Sequence, residues 1–345
     1  VPNRIPASPF KLTFKPGRIE RKCRRRLIPG TPSLKVDDMQ LIPLIAALFS
    51  ILMPSKTWFA PSEPLNVTIS GDQTVTLVLA DFQGRRINTD VPTDVEPGKT
   101  IDVRAMFPAM RLGTYVLYAV PAGKTTADFV GTPLVIQLRG DMRPGAPSGA
   151  VVIRIEPLCV AQIETTAGPM TAAFYYDVAP NTVSNFVNLS RGGFYDGLLF
   201  HRIVPDFIVQ TGDPLADNSG GPGYQIDAEF NGRLHLRGVL SMARENDPME
   251  SQGAMPRPDF ANSAGSQFFI CLNHEKTKRL DRKYTAFAQL VSGDEALQKI
   301  GSGEVADAST GRPKEPFKIT SIRIVPVKGG EDPYPSLLER TSEEK

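Results

Sequence analysis

Phe200-His201-Arg202-Ile203-Val204-Pro205-Asp206-Phe207-Ile208-Val209-Gln210-Thr211-Gly212-Asp213 reads as a strand, a bend and a second strand. Pro205 cannot donate to a sheet ladder, so it breaks the run, leaving Arg202 before the bend and Phe207 after it. Side chains alternate along a strand, which puts Ile208 and Gln210 on one face. In a second run, Ser263-Ala264-Gly265-Ser266-Gln267-Phe268-Phe269-Ile270-Cys271, the same alternation puts Gln267 and Phe269 together, with Phe268 and Ile270 on the opposite face. Where the two polar-bearing faces meet, they form a concave patch of Arg202, Phe207, Ile208, Gln210, Gln267 and Phe269. Apolar walls with a few fixed polar groups suit a small binding site. The patch contains no obvious nucleophile, so it suits gripping a backbone amide and an apolar ring better than breaking a covalent bond. Singly, each residue has an ordinary reading: a surface Arg, core Phe side chains, satisfied strand Gln side chains.

The chain has 345 residues, 41% hydrophobic and 22% charged, which is ordinary for a globular protein of two domains or one large one. A formal net charge of +2 gives no reason to expect a nucleic-acid surface. With 31 Pro and 29 Gly spread along the chain, turns and short strands are favoured over long helices. Cys23, Cys159 and Cys271 form no CxxC, and no disulfide framework is expected. Cys159 and Cys271 lie in apolar runs and read as small core residues. His201, His235 and His274 show no ligand spacing, so neither a metal nor any other cofactor is expected.

Residues 1–38 hold six Pro and a basic cluster from Arg21 to Arg26 and read as a disordered basic tail or as over-extended translation, Met39 being the first Met. The apolar run from Leu41 to Met53 is too short to span a bilayer comfortably and has the length of a secretory h-region. Residues 39–60 are therefore expected to be a signal peptide, cleaved near Trp58-Phe59-Ala60, with a membrane anchor or a buried helix of the folded protein as the alternatives. The protein would then be exported (periplasmic or extracellular), meeting the membrane only transiently; without that signal it would be cytoplasmic. Residues 61–140 alternate short strands with turns (Gly71-Asp72, Pro97-Gly98, Pro121-Ala122-Gly123) and read as a small β-sandwich accessory domain, with Ile101–Met106 as one of its strands. No catalytic grouping appears in it. Gly- and Pro-rich residues 141–149 read as a linker.

The second domain is placed at 150–328, beginning with a strand at Val151–Ile155. Pro180 suits a first helical turn, and Val183, Phe186, Val187 and Ser190 fall on one face behind it. A second helix fits Asp294 to Ile300, with Leu297 and Ile300 inward. Many strands and only two helices suggest a closed barrel whose ends the helices cover. The charged tail 329–345 reads as mobile.

From about Val160 to Val327, half of the chain, the sequence resembles the cyclophilin-type peptidyl-prolyl cis-trans isomerases. The motifs that carry this are the Phe200–Asp213 run, Gly220-Gly221-Pro222-Gly223-Tyr224, Gly238-Val239-Leu240-Ser241-Met242-Ala243, Gly265–Ile270 and Leu280-Asp281. The resemblance implies an eight-stranded antiparallel barrel capped by two helices, in a mainly β chain. It implies site residues Arg202, Phe207, Ile208, Gln210, Ala243, Gln267, Phe269 and Leu280. By this resemblance Arg202 donates to the prolyl nitrogen in the twisted transition state, Gln210 holds the carbonyl side with backbone near Ala243, and the apolar residues clasp the proline ring. Expected partners are unfolded or loop segments containing X-Pro, with no nucleic acid, and the protein is expected to be a monomer that assists folding. The alternative is a catalytically weak cyclophilin-like module that binds Pro-containing chains. Three positions depart from the common pattern. Arg279 replaces an aromatic before Leu280-Asp281, which implies weak inhibition by the cyclic peptide cyclosporin. Tyr284 stands where a His often lines the pocket. Arg244 stands where an Asn is common. Both Arg244 and Tyr284 are expected at the substrate-binding edge, beside a long loop from Glu245 to Ala261.

Overall fold

A computed structural model describes residues 51–140 and 151–335. The N-terminal basic tail, most of the expected signal segment, the 141–149 linker and the part of the charged tail beyond residue 335 lie outside those residues.

Two sheets build the N-terminal module. The smaller contains β1 (Leu52–Pro54), β3 (Asn66–Ile69) and β6 (Thr100–Asp102) in the order β1-β3-β6. The larger contains β2 (Trp58–Phe59), β4 (Val75–Asp81), β5 (Asp94–Val95), β7 (Gly113–Pro121), β8 (Leu134–Gly140) and β9 (Val151–Pro157), in the order β2-β9-β8-β7-β4-β5. Leu65, Val67 and Ile69 pack with Leu77, Leu117, Ile136 and Ile153 between the sheets, so the module is a sandwich. The expected strand at Ile101–Met106 instead ends at Asp102. Its carboxylate accepts from the Arg104 amide and starts a helical turn over Val103–Met106.

Three expected boundaries change. Val151–Pro157 belongs to the module, not to the second domain: β9 pairs with β8 over its whole length, Ile136 opposite Ile155. The segment from residue 51 to Ala60 is part of the same fold. Leu52 and Phe59 are buried in its core, and cleavage near Ala60 would strip β1 and β2 from their sheets. The tail is anchored as far as Tyr334, which is buried between module and barrel.

The second body is an antiparallel sheet of eight strands, in the order β12-β13-β15-β14-β16-β11-β10-β19. These are β10 (Cys159–Thr165), β11 (Gly168–Phe174), β12 (Arg202–Val204), β13 (Ile208–Thr211), β14 (Val239–Met242), β15 (Phe268–Cys271), β16 (Ala286–Ser292) and β19 (Ile319–Pro326). A two-stranded ribbon, β17 (Val305–Asp307) with β18 (Arg312–Pro313), stands outside it. The sheet curls, and backbone bonds bridge its open edges. Gly197 donates to Ile319, Ile319 to Leu198, and Phe200 to Phe317 at 2.8–2.9 Å, which joins the approach to β12 with β19.

Helices α1 (Pro180–Arg191) and α2 (Asp294–Gly301) cover the barrel. On α1, Val183, Phe186, Val187 and Ser190 are buried, following the 3.6-residue spacing. Ala179 offers no capping side chain. The Glu229 carboxylate takes the free Asn181 and Thr182 amides instead, at 3.0 and 2.8 Å. Phe186 meets Tyr195, Phe268 and Phe287 at centroid distances of 5.2–5.4 Å in the barrel interior. Strands β7 and β8 are buried on both faces. Leu117 and Ile136 face the sandwich, whereas Val116, Val120 and Val135 join the barrel's core with Leu158, Tyr176 and Tyr334. That is why Tyr115–Val120 reads as a continuous apolar run rather than an alternation.

Candidate active site

The bend at Pro205 returns the chain as a hairpin, and its register sets Arg202 directly opposite Gln210. In the next pair, Gln210 lies opposite Phe269 and Ile208 opposite Cys271. One row of side chains therefore crosses three adjacent strands. Arg202 Nη1 donates to Gln210 Oε1 at 3.0 Å, Gln210 Nε2 to Gln267 Oε1 at 2.9 Å, and Gln267 Nε2 to the Gly220 carbonyl at 2.9 Å. The series is directional, and each amide orients the one before it. Burial pulls the Arg202 pKa down, Tyr284 opposes this, and the nearby Arg279 charge adds to the fall; a guanidinium remains protonated at neutral pH regardless.

Beside this row stands the apolar wall. Phe207, Ile208, Phe269 and Leu280 are each at most 8% exposed and share one core with partly buried Ala243 and Tyr284. The Tyr284 ring meets Phe269 edge-on at 5.7 Å. Ala243 takes its place through its amide, which donates to the Gln267 carbonyl at 2.9 Å. The structure thus brings together Arg202, Phe207, Ile208, Gln210, Ala243, Gln267, Phe269, Leu280 and Tyr284.

Gln210 orients Arg202 by accepting from it through Oε1, and Nε2 gives one of its two hydrogens to Gln267, which leaves the other free for the substrate carbonyl that Gln210 is expected to hold. One expected role changes. Arg244 was expected to meet substrate. Its side chain is 2% exposed and its guanidinium is taken up by Glu250, through Nη2 at 2.7 Å and Nη1 at 2.9 Å. The same group lies 4.2 Å from the Tyr284 ring centroid and donates to the Lys283 carbonyl. Arg244 therefore fixes the pocket wall and the 245–261 loop.

That loop is a built element. Asp247 caps a 3-10 turn over Pro248–Gln252 and binds Arg257 through both carboxylate oxygens at 2.8 Å. Asp247 is 2% exposed, and hydrogen bonds from Arg257 hold its carboxyl far below the usual range. Asn246 accepts from the Tyr284 hydroxyl at 3.1 Å, which ties the loop to the wall.

Behind Phe269 lies a triad that the sequence did not disclose. His235 stacks on Phe269 at 6.1 Å; its Nδ1 meets Asp281 Oδ1 at 2.9 Å and its Nε2 meets Ser241 Oγ at 3.0 Å. Ser241 and His235 are buried, the Asp281 side chain is 18% exposed, and Ser241 lies opposite Phe269 in the sheet, so the triad supports the wall. The Gly220 contact was also hidden, since no spacing rule links residue 220 to 267. Cys159 and Cys271 are buried free thiols, and burial pushes that of Cys159 up to about 12. Among the described residues no cluster of His, Cys, Asp or Glu could hold a metal.

Residues 160–324 match the family described as cyclophilin type peptidyl-prolyl cis-trans isomerase/CLD. A peptidyl-prolyl cis-trans isomerase of Synechococcus elongatus is 44% identical over 165 residues, 48% of this chain and 95% of the relative. The Arabidopsis thaliana peptidyl-prolyl cis-trans isomerase CYP18-2 is 39% identical over 168 residues, covering 47% and 92%. Among solved structures, a cyclophilin type isomerase of Cryptosporidium parvum is 27% identical, over 49% of this chain and 99% of that one, with a TM-score of 0.42. The relatives are matched almost end to end by the barrel and its helices, and through that body the chain belongs to the cyclophilin-type peptidyl-prolyl cis-trans isomerase family.

Proposed function

We propose that this isomerase accelerates rotation about X-Pro bonds in unfolded or loop segments of proteins, and so assists folding, with Arg202 as its catalytic residue. The X-Pro bond is held planar by conjugation, with a barrier of about 18–20 kcal/mol, and exchanges over tens to hundreds of seconds unaided. On twisting, the prolyl nitrogen loses conjugation and gains a lone pair. A guanidinium N–H aimed at that lone pair stabilises the twisted state over the planar one, as catalysis requires. A thousandfold acceleration needs about 4 kcal/mol, within reach of one charged hydrogen bond made away from water.

The observation that carries this reading is the Arg202 to Gln210 bond at 3.0 Å, beside a wall of Phe207, Phe269 and Leu280. A proline ring on that wall would bring its nitrogen towards a donor whose direction is already fixed. The donor then needs no reorganisation when the bond twists. Gln267 holds the next link, and Ile208, Ala243 and Tyr284 complete the apolar surround.

An isomerisation assay on an Ala-Pro peptide tests this with wild type and Arg202→Ala. The expected result is turnover in the wild type and its loss in the variant. Equal turnover in both would remove Arg202 from the mechanism.

A further inference from the structure

The segment Lys276-Thr277-Lys278-Arg279-Leu280-Asp281-Arg282-Lys283 sets five cations around Leu280, a residue of the pocket wall. Not all are available. Lys276 pairs with Asp206 at 2.6 Å and Lys278 with Glu275 at 3.0 Å. The segment's only carboxylate, Asp281, is engaged by His235 at 2.9 Å. Arg279 is different. Its guanidinium lies over the Phe207 ring, 4.4 Å from the centroid, and the residue is exposed. Among the described residues it forms no ion pair, and neither do Arg282 and Lys283; what sets Arg279 apart from these two is its place over a ring of the pocket wall. It is also close enough to Arg202 for the two charges to disfavour each other. The mouth of the pocket thus holds two guanidinium groups: Arg202 bonded to a neutral amide, Arg279 laid on an aromatic face.

We propose that Arg279 is a specificity-determining residue, selecting X-Pro substrates that carry an aspartate or glutamate close to the proline. The proposal rests on the isomerase reading above, because Phe207 is the wall on which the proline ring would sit. A substrate carboxylate beside that ring would meet a donor fork already ordered by stacking, so little freedom is lost when the pair forms. It would also relieve the repulsion between Arg279 and Arg202. A lysine at the same place would add a third positive charge. The pair remains open to water, so the preference is modest, and it weakens with salt.

The test is a series of Ala-Pro peptides with Glu, Gln or Lys at each position within two residues of the proline. Kd is measured by NMR titration, and kcat/KM by exchange NMR, which needs no coupling protease. For at least one position, Glu should be favoured over Gln by about threefold and over Lys by about tenfold at low salt. Arg279→Gln should erase the preference and Arg279→Glu should reverse it, an outcome that lost packing on Phe207 would not produce. A wild type indifferent to charge at every position overturns the proposal, as does a preference for Glu that survives Arg279→Glu. Wild type that binds the Gln peptides without turning them over would instead defeat the isomerase reading, while the Kd series would still decide the role of Arg279.

Discussion

Arg202 and Gln210 face each other across the β12–β13 pair, and the bond between them, 3.0 Å long, spends the carbonyl end of Gln210 on the guanidinium. The pair behaves as one unit, a donor and its positioner. Arg202→Ala is expected to lower kcat/KM by about a hundredfold, the usual effect of removing one preorganised donor. Arg202→Lys should recover little of this, since an ammonium cannot both bond Gln210 and present a planar fork. Gln210→Ala should cost about tenfold, because the guanidinium persists but loses its orientation. The double variant should resemble Arg202→Ala alone, the signature of residues acting through one another. Costs that multiply fully would show that Gln210 acts independently of Arg202.

Arg244 and Glu250 form the most enclosed ion pair of the site, with side chains 2% and 16% exposed. Removing one partner strands the other in a poorly solvated place, at a cost of about 3 kcal/mol. Glu250→Gln should therefore lower the melting temperature by roughly 4–5 °C for a chain of this size. Hydrogen exchange across 245–261 should accelerate, and KM should rise more than kcat falls, because Tyr284 loses the cation against its ring. An unchanged melting temperature would mean that the loop holds without this pair.

The loop and the pocket differ in how far the sequence disclosed them. Ile208 beside Gln210, and Gln267 beside Phe269, follow from strand alternation, a local rule, and the four do converge. The buried face of α1 was legible for the same reason. The engagement of Arg244 was not, because a pairing six residues along an irregular loop follows no period. Nor could pattern reading assign Val151–Pro157 to a sheet, since an apolar strand suits either body; pairing with Leu134–Gly140 decides it. The Gly220 contact and the seam from Gly197 to Ile319 are likewise long-range backbone bonds with no local signal.

His235 gives the wall a pH dependence. Burial pulls its pKa down, and the Asp281 hydrogen bond recovers only part of the shift. Above about pH 6.5 the ring is neutral in both folded and unfolded chains. As pH falls below that value the unfolded chain takes up a proton that the folded chain resists, so stability is lost until the folded pKa is passed. His201, also shifted down by burial, acts in the same direction. Partly buried Glu156 and Asp177, shifted up by desolvation, act in the opposite one. The His235 part is therefore the difference between wild type and His235→Gln. The wild type should lose more melting temperature between pH 7 and pH 5 than the variant does. Parallel curves would show that His235 titrates alike in both states.

Tyr334 gives a last test, of whether module and barrel fold as one. Its hydroxyl donates to the Cys159 carbonyl at 2.7 Å and accepts from the Phe174 amide at 3.1 Å, joining β10 to β11 at their module-facing ends. Its ring meets Phe82 of the module at 5.7 Å and Tyr176 of the barrel at 6.4 Å. Tyr334→Phe keeps the ring and leaves two buried backbone groups short of a partner, at a cost of about 1–3 kcal/mol. Tyr334→Ala removes the ring as well and opens a cavity between the bodies, for a total of about 3–5 kcal/mol. In both variants thermal unfolding followed by near-ultraviolet circular dichroism should shift as a single transition, because Phe82, Val120 and Val135 of the module share one core with Phe174 and Tyr176 of the barrel. A variant in which the module melts first while isomerase activity persists would show instead that the barrel is stable without it.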